Sequence, residues 1–93
     1  MLVESVPNVS EGRRPEVVER LAAAITSVPG VFLLDRTSDA SHNRSVFTIA
    51  GEDADVSAAL ERLVAASIDE IDMERHWGEH PRIGAVDVVP FVP

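Results

Sequence analysis

The sequence predicts an α+β fold, a small antiparallel sheet with helices on one face, on three observations. Apolar periodicity switches between short strand-like runs and two long helical stripes, in the order strand, helix, strand, strand, helix, strand. Pro29-Gly30 and the acidic cluster Glu52-Asp53-Asp55 punctuate the switches. No linker or low-complexity stretch divides the 93 residues, a length that fits one domain spanning residues 1–93.

The elements follow in order. Leu2 to Val6 is short, apolar and rich in β-branched residues, and Pro7-Asn8 is expected to end it. Pro15 suits the first position of a helix, with Glu16 and Glu19 near its positive end. Val17, Val18, Leu21, Ala24, Ile25 and Val28 recur at helical spacing, and Pro29-Gly30 stops the run. Val31 to Asp35 is long enough for a strand and too short for a helix. Arg36 to Asn43 is polar and reads as a loop. Ser45 to Ala50 alternates, with Phe47 and Ile49 on one face and Thr48 on the other. Gly51 and the acids Glu52, Asp53 and Asp55 open a second helix, whose apolar stripe is Val56, Leu60, Leu63, Val64 and Ile68. Asp72 to Arg82 carries Gly78 and Pro81 and reads as a loop. Ala85 to Val92 is a last strand, with Pro90 marking an edge or a bulge.

This order is the split β-α-β pattern of ferredoxin-like domains, βαββαβ, with four antiparallel strands and both helices on one face. Right-handed crossovers are expected. A fragment of a larger α/β sheet is the competing topology. Helices on one face leave the other face open. Leu2, Val3, Val6, Val31, Phe32, Leu33, Leu34, Val86, Val88, Val89 and Phe91 are too many apolar residues to point at two helices. Strands apolar on both faces are usually covered on both faces. A homo-oligomer or a companion subunit over the open face is therefore expected, the plainer reading being cover by loops.

Composition narrows the function. There are 16 acidic residues, eight arginines and no lysine, for a formal charge of −8 and a pI near 4.6. Phosphate recognition needs a basic face, so nucleic acid is not an expected partner. An anionic membrane surface is disfavoured for the same reason. No run approaches the roughly 20 apolar residues of a membrane span, and Glu4 interrupts the first apolar run, unlike a signal peptide. The cytoplasm is the expected location. Without cysteine there is no disulfide, thiolate metal site or cysteine nucleophile. A domain this small buries only about 60–65% of its unfolded surface, so a site belongs on a sheet face, at an edge or against a second chain.

Three polar segments hold the candidate chemistry. Asn8-Val9-Ser10-Glu11-Gly12 follows a strand and precedes a helix, where a serine and backbone N–H groups can bind an anion; an ordinary turn and cap is the alternative. Asp39-Ala40-Ser41-His42-Asn43-Arg44 and His76-Trp77-Gly78-Glu79-His80-Pro81-Arg82 hold all three histidines and two of the arginines. His76 to His80 spells H-x-x-E-H, an inverted zinc-protease pattern that must lie on a helix. Gly78 and Pro81 oppose that helix, so no metal is expected. Histidine titrates near neutrality and can take and return a proton. Arg44 and Arg82 can each grip a carboxylate with two hydrogen bonds. Residue types alone leave open whether these groups form a site or are surface histidines and surface ion pairs.

Val6-Pro7-Asn8-Val9-Ser10-Glu11-Gly12 resembles the opening signature of the glutamate formiminotransferase family. His42-Asn43-Arg44-Ser45-Val46-Phe47-Thr48 resembles the bacterial form of its next block. Gly78-Glu79-His80-Pro81-Arg82-Ile83-Gly84-Ala85-Val86-Asp87-Val88-Val89-Pro90-Phe91 resembles its most distinctive block. Three blocks in order, over essentially the whole chain, are far more specific than one short motif.

The resemblance implies transfer of a formimino group from N-formimino-L-glutamate to N5 of tetrahydrofolate, in histidine breakdown, with tetrahydrofolate as co-substrate. It places the catalytic histidine at His80. It implies substrate contacts at Asn8, Ser10, Glu11, His42, Asn43, Arg44, Gly78, Glu79 and Arg82. Thr37 stands where some members carry an acid, with Asp35 and Asp39 nearby. Family members are substantially longer, and their subdomains jointly line the substrate path. Two functions follow: a transferase chain or piece working through His80, and a catalytically incomplete ferredoxin-like binding or assembly module that needs a partner chain.

Overall fold

Strict alternation along Ser45 to Gly51 builds the middle of the sheet. In the computed structural model, which describes residues 1–9, 15–41, 44–72 and 88–90, this segment is β4 (Arg44–Glu52). Ser45, Phe47, Ile49 and Gly51 are buried, and Val46, Thr48 and Ala50 are half-buried on the other face. The other elements are β1 (Leu2–Ser5), β2 (Asn8–Val9), α1 (Pro15–Thr26), β3 (Phe32–Asp39), α2 (Asp53–Asp72) and β5 (Val88–Pro90).

β1 and β2 are two halves of one strand. Leu2 pairs with Glu52 and Ser5 with Ile49; after a two-residue gap Asn8 pairs with Val46 and Val9 with Ser45, in unbroken register against β4. Proline has no N–H to give the ladder. The Pro7 carbonyl still accepts a bond from the Phe47 N–H at 3.1 Å, which holds the register across the gap. The strand expected to stop at Pro7-Asn8 therefore runs on to Val9.

β3 and β1 flank β4, and β5 pairs with β1, all antiparallel. The order β3–β4–β1/β2–β5 places the first and third strands at the centre and the second and last outside. That is the ferredoxin-like arrangement read from the element order. α1 packs over β3, α2 over β4 and β1, and the helices pack on each other. Their shared core joins Val17, Val18, Leu21, Ala22 and Ile25 of α1 to Val56, Ala59 and Leu63 of α2 and to Val3, Val9, Phe47 and Ile49 of the sheet. Each such side chain contributes about 1.5–3 kcal/mol by leaving water.

One expectation needs correction. Arg36 to Asp39 is strand, not loop: Arg36 pairs with Phe47, Thr37 with Val46, Ser38 with Ser45 and Asp39 with Arg44. An edge strand exposed to water tolerates polar residues, so composition masked the pairing. Of the apolar set judged too large for two helices to cover, Val3 and Val31 belong to the buried core. Val64 and Ile68 are exposed on α2, where Ala59 takes the core position between Val56 and Leu63.

Two glycines are required by backbone geometry. Gly30 ends the α1–β3 turn at φ +88°, a conformation that side chains disfavour. Gly51 lies against that turn: a Cβ there would stand 2.8 Å from the Gly30 carbonyl oxygen. The hydroxyl of buried Ser5 has no hydrogen-bond partner among the described residues.

Candidate functional site

Side chains alternate across a strand, so the register sorts the open face. Leu2, Glu4, Val6 and Asn8 lie on it, with Leu2 opposite Glu52, Glu4 opposite Ala50 and Asn8 opposite Val46 of β4. Phe32, Asp35, Thr37 and Asp39 of β3 complete the row opposite Ala50, Thr48, Val46 and Arg44. Leu34 is the extra residue of a bulge between Leu33 and Asp35, which restores this phase.

The face has two unlike ends. At one, exposed Phe32 stands opposite Ala50, Glu4 lies on the other side of Ala50, and exposed Leu2 is opposite Glu52. At the other stand Asn8, Arg44, Thr37 and Asp39. Asn8 is half-buried, and its amide donates to the Val6 carbonyl at 3.1 Å. Arg44 is exposed, next to Ser45, which pairs with Val9. Asn8 and Arg44 are thus diagonal neighbours on one face. Both were expected at a site, and the structure brings them together.

The Asp39 carboxylate closes the start of the β3–β4 turn, accepting from the Ser41 N–H at 3.0 Å and the Ser41 hydroxyl at 2.7 Å. On the helix side of the same edge, Ser38 and Ser45 share a hydrogen bond of 2.9 Å between their hydroxyls.

The described start of the first polar segment, Asn8-Val9, and the described end of the second, Arg44, meet the sheet at the same end. The remaining expected site residues, Ser10, Glu11, His42, Asn43, Gly78, Glu79, His80 and Arg82, lie outside the described residues. So do Val86 and Phe91 of the apolar set judged too large for two helices to cover.

On the helix side of β3, a shallow recess of about 200 Å³ is lined by Pro15, Val18, Glu19, Arg36 and Ser38. Arg36 and Glu19 form an exposed ion pair across it. Hydrogen bonding to the guanidinium holds the Glu19 carboxyl below its usual range, and the carboxylate raises Arg36 in return.

Thr48 was expected on the face opposite Phe47 and Ile49, whereas Thr37 and Asp39 escaped attention as open-face residues. Thr37 and Asp39 were hidden in a stretch read as loop, and only period-two register reveals their face. Among the described residues no group of three or more histidine, aspartate or glutamate side chains is disposed to hold a metal ion. No described helix is long and apolar enough to cross a membrane.

Comparison with known proteins extends the reading. Residues 2–93 match the formiminotransferase domain, N-terminal subdomain. A glutamate formimidoyltransferase of Streptococcus pyogenes serotype M1 is 54% identical over 92 residues, covering 99% of this chain and 31% of that protein. One from Thermoplasma acidophilum is 49% identical over 92 residues, covering 99% of the chain and 30% of the relative. A formimidoyltransferase-cyclodeaminase of Sus scrofa is 48% identical over 92 residues, covering 99% of the chain and 17% of the relative. The chain thus spans less than a third of these relatives. With near-half identity along its whole length and a match to one subdomain from residue 2 onward, it belongs to the formiminotransferase family and corresponds to that family's N-terminal subdomain.

Proposed function

We propose that this chain supplies the acid–base half of a glutamate formimidoyltransferase site, moving a formimino group from N-formimino-L-glutamate to N5 of tetrahydrofolate. The observation that carries the reading is the similarity to glutamate formimidoyltransferases over 99% of the chain. The diagonal placement of Asn8 and Arg44 on the open sheet face supports it.

The chemistry suits the residues. The N5 amine attacks the amidine carbon and forms a tetrahedral intermediate. His80 takes the proton that N5 loses and gives it to the glutamate nitrogen as the old carbon–nitrogen bond breaks. Imidazole can act as base and then as acid near neutrality. Asn8, Ser10, His42 and Asn43 are polar groups suited to the substrate and to the intermediate. Arg44 and Arg82 bind carboxylates of formiminoglutamate or of the folate tail by charge-assisted hydrogen bonds. Glu11, Gly78 and Glu79 complete the contact set. The reaction would serve histidine degradation in the cytoplasm.

The length of the relatives favours a second reading. A chain that spans 31% of a family enzyme carries part of a site, and the open sheet face then belongs under a companion portion, whether a companion subunit or a second copy. Alone, such a chain is a binding or assembly module.

Formimino transfer is measured with the chain alone and with the companion polypeptide, wild type against His80→Ala. Loss of roughly 10²–10⁴-fold in rate is expected for the variant. Undiminished transfer by His80→Ala removes His80 from the mechanism. Transfer by neither preparation leaves the module reading.

A further inference from the structure

At the mouth of the β3–β4 hairpin two opposite charges face each other and are not joined. Asp39 and Arg44 are direct partners in the antiparallel ladder. Side chains so opposed start about 4.5–5.5 Å apart at Cβ, and opposite charges there attract. The preceding partners, Ser38 and Ser45, do bond across the strands, hydroxyl to hydroxyl at 2.9 Å. Yet among the described residues no ion pair links Asp39 to Arg44.

The cause lies in the turn. One oxygen of the Asp39 carboxylate, Oδ1, accepts both the Ser41 N–H at 3.0 Å and the Ser41 hydroxyl at 2.7 Å. An aspartate bonded to the backbone two residues on is a turn device in its own right, and the added hydroxyl bond doubles the hold. The carboxylate is thereby aimed along its own chain and not across to β4. Asp39 is half-buried, while Arg44 is exposed. The guanidinium keeps its planar fork of donors for an incoming anion. A carboxylate released from Ser41 would compete with that anion for the same donors.

We propose that Ser41 is a positioning residue for substrate binding: it holds the Asp39 carboxylate in the turn, so that Arg44 is not neutralised by its ladder partner and stays open to a substrate carboxylate. Ser41 acts through Asp39 on Arg44. The inference deepens the reading of Arg44 as a holder of formiminoglutamate or folate carboxylates, and it rests on that reading. Because all three side chains stand at the solvent-exposed mouth of one hairpin, the competing ion pair is of the exposed kind. Its formation is expected to weaken anion binding by roughly 1.5–5-fold and not by orders of magnitude.

The test follows formimino transfer in the enzyme assembled from the chain and its companion polypeptide. The KM values for formiminoglutamate and tetrahydrofolate are read separately from kcat; where the assembly does not turn over, calorimetric affinities for the two replace them. Ser41→Ala should raise the same KM that Arg44→Gln raises, by roughly 1.5–5-fold, with kcat unchanged. Adding Asp39→Asn to Ser41→Ala should return that KM to the wild-type value, because an amide carries no charge to pair with Arg44. Loss of that charge would not rescue a residue that merely shapes the turn. If Ser41→Ala lowers the melting temperature, Asp39→Glu makes the comparison instead: its longer arm reaches Arg44 and should raise the same KM. An unchanged KM in Ser41→Ala beside a raised one in Arg44→Gln overturns this proposal alone, as does a raised KM that Asp39→Asn does not restore. An unchanged KM in Arg44→Gln overturns the reading of Arg44 and this proposal with it, as does the absence of both turnover and binding in the wild type.

Discussion

The two faces of the sheet differ more than their sequences suggest. Phe47 and Phe32 are aromatic residues on adjacent strands. Phe47 is 0% exposed beneath the helices, and Phe32 is 66% exposed on the open face. On the helix side, period-two positions of β4 interlock with apolar positions of α1 and α2. On the open side, the same strands present Asn8, Thr48, Thr37 and Arg44, interspersed with half-buried Val6 and Val46. Stability resides on the first face.

The contrast breaks most visibly at the two phenylalanines. Phe47→Ala should cost about 3–5 kcal/mol in urea unfolding, whereas Phe32→Ala should stay within about 0.5 kcal/mol. Equal losses would mean that the open face is packed in the isolated chain. Next in size is Arg44→Gln. Charge-assisted hydrogen bonds contribute about 1.5–3 kcal/mol, so affinity for formiminoglutamate in the assembled enzyme should fall by roughly 10–100-fold with the unfolding midpoint unchanged. A shifted midpoint with unaltered affinity would make Arg44 a structural residue.

Gly51→Ala should destabilise by about 1–3 kcal/mol, because the new methyl meets the Gly30 carbonyl. A neutral result would show that the turn yields. The smallest effect belongs to the exposed ion pair. The Glu19 carboxyl is held below its unfolded value by Arg36, so its contribution is present above the unfolded value near 4.5 and is lost as pH falls through the folded one. Glu19→Gln should remove that slight acid-side slope, and high salt should remove it too. An unchanged slope in the variant would assign it to other carboxylates.

The sheet's central strands were legible because one side of each is buried and alternation has one interpretation. Ser45 to Gly51 shows it best. β3 was half legible: Phe32 and Leu33 announce a strand, but Arg36 to Asp39 is polar because both its outer edge and one face meet water. Val64 and Ile68 fit the helical period as well as Leu63 does, yet they flank the core and are not part of it. Periodicity gives a face to within a stripe, and packing decides which edge of that stripe is covered. Of the candidate site, Asn8 and Arg44 were visible as residue types, and their diagonal placement was not.

By itself the sequence determined the element order, the helix-facing positions of β4 and the family, since these rest on local periodicity and on matched blocks. Only the tertiary structure decided that Leu2–Val9 is one strand across Pro7, that Thr37 and Asp39 share a face with Arg44, and that Val64 and Ile68 are exposed on α2. Those are questions of register and crossover. They depend on which distant strand supplies the hydrogen bonds, and no local pattern carries that information.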